Sequence, residues 1–200
     1  ALTPFILSDN WSGLLVEPNP AVFERLNRRC AGKQHLRLVN AAISNVTGVQ
    51  PFYSFEDGDD LPPGIDQLGS LSRDMIQRHI RAWPELADRL VTTSIQCNTF
   101  GELCETHHVE RVEPGERVDV IQMDVEGHDF EVLRQIDFDR LRPVVVMYEH
   151  AFLTDNDRRD AERLLHTHGY FVQPLAQDTI AVRAATNVRL QDAWTRLARH

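Results

Sequence analysis

Apolar residues fall along this chain in short continuous runs, separated by stretches where they recur at helical spacing. Three runs end in a carboxylate: Gly13-Leu14-Leu15-Val16-Glu17, Val120-Ile121-Gln122-Met123-Asp124 and Val144-Val145-Val146-Met147-Tyr148-Glu149. Unbroken Val/Ile/Leu runs bounded by turn residues match parallel strands buried on both faces. The first predicts a strand over 13–17. Asn19 then caps a helix whose first turn accepts Pro20, and Val22, Phe23, Leu26 and Cys30 give it an apolar stripe through residue 30. Further strands are expected over 36–42, 49–55, 91–97, 118–124 and 144–149. Pro51 puts the strand over 49–55 at a sheet edge, because proline cannot donate to a ladder. Helices are expected over 71–88 with a break near Pro84, over 100–108, after Gly127 with Phe130, Leu133 and Ile136 inward, and over 155–168, stopped by Gly169. Residues 170–174 and 179–183 read as a closing antiparallel hairpin. Val188, Leu190, Trp194 and Leu197 make 187–199 an amphipathic tail helix.

Strands alternating with helices and ending in a hairpin predict an α/β three-layer sandwich, with no internal repeat and one domain over residues 1–200. Ligands of such sheets bind outside the carboxyl ends of the strands. Glu17, Asp124 and Glu149 are therefore expected to rim one pocket. Residues 56–70 are acidic and rich in Gly and Pro, and predict a long mobile loop, either a lid or a solvated excursion.

Composition narrows the partners. The chain has 200 residues, 42% of them hydrophobic, and a formal net charge of −9. That length supports a real core, and that charge argues against nucleic acid or an anionic membrane as partner. No apolar run approaches the roughly 20 residues a membrane helix needs. Cys30, Cys97 and Cys104 form neither a disulfide framework nor a zinc site, which points to a reducing compartment and, with no signal peptide at the start, to the cytoplasm. Oligomeric state is not readable.

Glu17 ends a strand and precedes a helix, where an acid either accepts hydrogen bonds from a ribose diol or stabilises the helix N-terminus. Asp124 and Glu126 lie two apart and share a face of an extended chain. Such a pair can hold a hard divalent cation such as Mg2+, or orient or deprotonate a hydroxyl; Glu126 can alternatively cap a helix. Gly127 permits a tight turn and close approach of a ligand. Glu149 and His150 end the next strand, and His150 reads either as a general base or as a satisfied structural histidine. His107, His108, His166 and His168 read as surface residues. Ser70-Leu71-Ser72 either caps the following helix or places a hydroxyl over the pocket.

Taken together, Gly13 through Pro20 with Phe23 and Leu26, Asn40-Ala41-Ala42-Ile43, Ser70-Leu71, Met123-Asp124-Val125-Glu126-Gly127-His128-Asp129 with Val132-Leu133, and Glu149 resemble the FkbM family of S-adenosylmethionine-dependent methyltransferases. The resemblance spans most of residues 2–183. It implies the Rossmann-like class I methyltransferase fold, a seven-stranded sheet with one antiparallel strand, and O-methylation of a hydroxyl on a small-molecule acceptor such as a sugar or polyketide. Carried over residue by residue, it implies Glu17, with Pro18 beside it, at the ribose of S-adenosyl-L-methionine, and Asn40, Ala41 and Ala42 near its adenine. It also implies Asp124 and Glu126 beside the methyl group, with Glu149 as a further acid. Gln122 departs from the lysine common there. The family's first motif, a strand ending in an Asp-x-Gly-x-x-x-Gly turn, is absent, so residues 1–200 are expected to be a fragment with that strand just upstream. The rival readings are another nucleotide-dependent α/β enzyme, such as a nucleotide-sugar transferase, and a non-catalytic binding module; a dehydrogenase needs a Gly-x-Gly-x-x-Gly turn that this chain lacks.

Overall fold

The computed structural model describes residue 6 and residues 11–56, 64–109 and 118–184. The expected tail helix over 187–199 and the tip of the expected loop, 57–63, lie outside them. The chain forms two compact units, Ala1–Val109 and Glu110–His200, both mixed α/β.

In the first unit, strand β1 (Gly13–Val16) leads through Glu17-Pro18 into helix α1 (Pro20–Arg29) and back to β2 (Leu36–Val39), which runs parallel to β1. The helix starts as its sequence demands. Asn19 accepts the Ala21 N–H on its side chain at 3.0 Å, and Pro20 occupies a position whose N–H has no helical partner. Val22, Phe23 and Leu26 are half-buried and Cys30 is buried, as the apolar stripe predicts.

The expected strand over 36–42 is two strands. Glu17 N–H donates to Val39 O at 3.0 Å, and the ladder stops there, because the next donor, Asn19 N–H, goes to Glu17 Oε1 and the Glu17 carbonyl accepts from the Asn40 side chain. The chain turns at Asn40-Ala41, and Ala42–Ile43 joins a second sheet as β3. There β4 (Gly48–Phe55) and β5 (Leu90–Asn98) pair antiparallel, in the order β3-β5-β4, so Pro51 does lie on an edge strand. One face of this sheet buries Ala42, Phe52, Ile95 and Cys97. Phe55 continues the core with Ile65, Ile76 and Leu86.

The helix expected over 71–88 is α2 (Arg73–Ala82) followed by a 3-10 segment over Pro84–Arg89. Ser72 caps it by accepting Met75 N–H at 3.3 Å, and the buried Ser70 hydroxyl accepts Ser72 N–H at 3.0 Å, so this serine pair shapes the helix start. The described end of the expected loop is anchored. Ile65–Gln67 forms a 3-10 turn, Asp66 pairs with Arg25 of α1, and Ser70 exchanges backbone hydrogen bonds with Tyr53. Gly69 lies so close to the buried Phe52 ring that a Cβ there would come within 2.4 Å of it. Helix α3 (Phe100–Thr106) opens on a Thr99/Glu102 capping box.

The second unit holds one four-stranded sheet in the order β6-β7-β9-β8: β6 (Val120–Gln122), β7 (Val145–Glu149), β8 (Tyr170–Leu175) and β9 (Asp178–Arg183). β7 is flanked by β6 in parallel and β9 antiparallel. The hairpin forms as expected, through a two-residue turn at Ala176-Gln177. The sheet packs on short helices α4 (Asp129–Leu133) and α5 (Phe138–Leu141) and on the longer α6 (Asp155–Thr167), burying Val132, Leu133, Val146, Ala161, Leu165 and Ala181. Leu133 and Ile136 are buried as expected and Phe130 is half-buried. Tyr170 donates its hydroxyl to Pro143 O at 2.5 Å and packs edge-on against Phe138. Among the described residues, no helix is long and apolar enough to cross a membrane.

Candidate active site

The strand expected over 118–124 is only three residues long, and the reason sets up the site. Met123 N–H makes a last sheet bond to Met147 O at 2.9 Å. The chain then leaves the ladder through Asp124-Val125, and Glu126 (φ 50) and Gly127 (φ 89) both adopt left-handed backbone. For glycine that conformation is free; for glutamate it costs on the order of 1 kcal/mol. The turn delivers the chain to α4 and leaves Asp124 and Glu126 at the end of β6. Glu149 ends the adjacent strand β7, which is held on both edges.

The three acids converge. Asp124, Glu126 and Glu149 each bring a carboxylate oxygen within 4.8 Å of the others. At that separation two full charges repel by about 3 kcal/mol at an effective dielectric near 20. Asp124 is exposed, Glu126 half-buried and Glu149 buried, with 8% of its surface accessible. Burial first, and then Asp124, Glu126, Asp129 and Asp178, push the Glu149 carboxyl up to about 8. Asp124 is raised too, by lost hydration and then by Glu126 and Asp178, even though it keeps contact with solvent. Glu149 Oε2 has no hydrogen-bond partner among the described residues.

Two further acids belong to this group, Asp129, which the sequence places in a motif without a role, and Asp178, which it leaves unmarked. Asp129 is fully buried; its Oδ1 accepts Glu149 N–H at 3.1 Å, fixing the backbone under the acid. Burial is the main reason its carboxyl rises to about 7. In sequence it reads as an ordinary acid in a first helical turn. Asp178 lies opposite Glu149 in the β7–β9 register, and in sequence it reads as a turn residue. The usable signal was the pairing: a hairpin that closes beside β7 must set its first residue against the end of that strand. His150 turns to a different partner, its Nδ1 lying 3.0 Å from the hydroxyl of buried Thr179.

The first unit holds the other expected residues. Glu17 is half-buried; its Oε1 accepts Asn19 N–H at 2.8 Å. Burial raises its pKa, and the Asn19 N–H and the Arg25 charge oppose that rise. Asn40 donates its side-chain amide to the carbonyls of Glu17 at 2.8 Å and Pro18 at 3.1 Å, so the end of β2 clamps the turn after β1. Ala41 and Ala42 are buried, small residues directly beyond that clamp. Asn19 Nδ2 also donates to Asp66 O at 3.0 Å, which ties the 3-10 turn to the same corner.

Within the second unit, three acids converge at the ends of the neighbouring parallel strands β6 and β7, the edge at which α/β sheets bind ligands. The Methyltransferase FkbM domain matches residues 2–172, and the chain belongs to this family of methyltransferases. No curated protein and no solved structure matches the chain.

Proposed function

We propose that this protein is an S-adenosylmethionine-dependent O-methyltransferase of the class I, Rossmann-like three-layer fold, acting on a hydroxyl of a sugar, polyketide or related small molecule. The observation that carries the reading is the convergence of Asp124, Glu126 and Glu149 within 4.8 Å, on a chain of the FkbM family. S-adenosylmethionine supplies, when bound, an electrophilic methyl group on a sulfonium. Glu17 fits a ribose diol, since Asn19 N–H and the Asn40 clamp hold its turn and Oε2 is offered to the donors. Pro18 shapes that turn, and Asn40 and Ala41 beside it would lie near the adenine, while Ala42 packs in the core with Phe52, Ile95 and Cys97.

At the acids, the acceptor hydroxyl is oriented by Asp124 or Glu126. With the cofactor supplying the methyl group, one of these carboxylates would take the hydroxyl proton as the acceptor becomes a methyl ether and the cofactor is left as its neutral thioether. A base with a raised pKa takes that proton more readily, and Asp124 has one. Glu149 and Asp129 set the field around it, and His150 flanks the group from the end of β7. Most of the rate enhancement would come from holding the hydroxyl in line. A net charge of −9 fits a small-molecule acceptor rather than nucleic acid or an anionic membrane, and three free, buried cysteines fit the cytoplasm.

Calorimetric titration with S-adenosylhomocysteine tests the reading. Loss of a charged hydrogen-bonding partner costs on the order of 1.5–3 kcal/mol, so Glu17→Ala should weaken binding at least tenfold. Unchanged affinity in a folded variant removes Glu17 from the cofactor site, and no binding by the natural protein with its upstream segment removes the cofactor.

A further inference from the structure

From the acid cluster we infer a binding site for one divalent cation, held by Asp124, Glu126 and Glu149. This deepens the methyl-transfer reading, because the cation would sit where that reading places the acceptor hydroxyl. Two observations carry it independently. The first is spacing. Oxygen ligands about 2.0–2.6 Å from a central Mg2+, Mn2+ or Ca2+ stand roughly 3–5 Å from one another. One oxygen from each of the three acids meets that condition, with all three within 4.8 Å. The second is an unmet requirement in the interior. Glu149 is more than nine-tenths buried, contributes an oxygen to the cluster, and has its Oε2 without a partner among the described residues. Buried polar atoms are otherwise nearly always satisfied.

The surroundings suit a hard cation. All three ligands are carboxylates, and no sulfur or imidazole ligand accompanies them in the cluster, which disfavours softer metals. Exposed Asp124 provides the entry side, where water completes the coordination shell. Asp129 stands behind Glu149, accepting its backbone N–H, in the manner of outer residues that orient a ligand. An acceptor hydroxyl replacing one of the waters would be both oriented and acidified.

The test uses chelator-stripped full chain titrated with Mn2+, following loss of the free-ion paramagnetic resonance signal. One Mn2+ per chain should bind, Mg2+ should displace it, and Glu149→Gln and Asp124→Asn should each weaken binding at least about tenfold. Glu162→Gln, on the exposed face of α6, should bind like the unsubstituted protein. Asp124 is exposed, so its variant serves even if Glu149→Gln folds poorly. Absence of saturable Mn2+ binding, or equal binding by the Asp124→Asn chain, overturns the site. S-adenosylhomocysteine binding, measured separately with chelator present, reports on the methyltransferase reading whatever the Mn2+ result.

Discussion

Glu149→Gln, in protein kept metal-free by chelator, isolates the electrostatic cost of the cluster. The folded state lifts this carboxyl from 4.5 to about 8. Between those values the folded protein keeps a proton that the unfolded chain has released. The stabilising contribution is therefore complete below about pH 4.5 and lost as the pH rises towards about 8. One whole proton gives a slope of about 1.4 kcal/mol per pH unit. Solvent reaching the cluster beside Asp124 screens it, so roughly half that slope is a sound working figure, or about 1–2 kcal/mol between pH 5 and pH 7. Glutamine has nearly the same shape and no charge at any pH. The variant should match the unsubstituted protein near pH 5 and exceed its stability by that amount at pH 7. Asp129, raised to about 7, titrates in both proteins, so the quantity to read is their difference. Urea unfolding at four pH values from 5 to 8 measures it. A stability difference that stays constant across that range would refute the argument, because then no proton is taken up at Glu149 on folding.

Other expectations follow from particular contacts. Asp124→Asn and Glu126→Gln should lower turnover by on the order of a hundredfold while leaving S-adenosylhomocysteine affinity nearly unchanged, checked by steady-state kinetics beside calorimetry. Gly69→Ala must drive a methyl into the buried Phe52 ring, and a thermal melt should show a loss of about 1–3 kcal/mol. Tyr170→Phe strands the Pro143 carbonyl it now bonds, at a cost of about 1–2 kcal/mol in denaturant unfolding.

Where local chemistry decides structure, the sequence was readable. Asn19-Pro20 starts α1, Pro51 marks an edge strand, and the hairpin after Gly169 closes on its two-residue turn. Asp124, Glu126 and Glu149 were readable as strand-end acids, and they do converge. What escaped depends on partners distant in the chain. The break between β2 and β3 follows from the turn after β1, where Asn19 N–H goes to Glu17 Oε1 and the Glu17 carbonyl to the Asn40 side chain, so neither serves the ladder. Asp66 looked like one more acid in a polar loop until Arg25 and Asn19 anchored it. Asp129 is invisible as a buried acid because burial is a property of what packs over it, and its own segment is polar.

The left-handed backbone at Glu126 sets two kinds of selection against each other. Glycine at that position would relieve about 1 kcal/mol of backbone strain and remove the carboxylate that helps raise Asp124 and Glu149. The relief of strain favours the folded state. A library of variants sorted only for heat resistance should therefore drift towards Glu126→Gly and, with Glu126 in the role proposed above, lose turnover as it gains stability. A stabilisation campaign on this enzyme has to hold position 126 constant and seek its gains elsewhere, in places such as the exposed positions of α6, where nothing in the site is at stake.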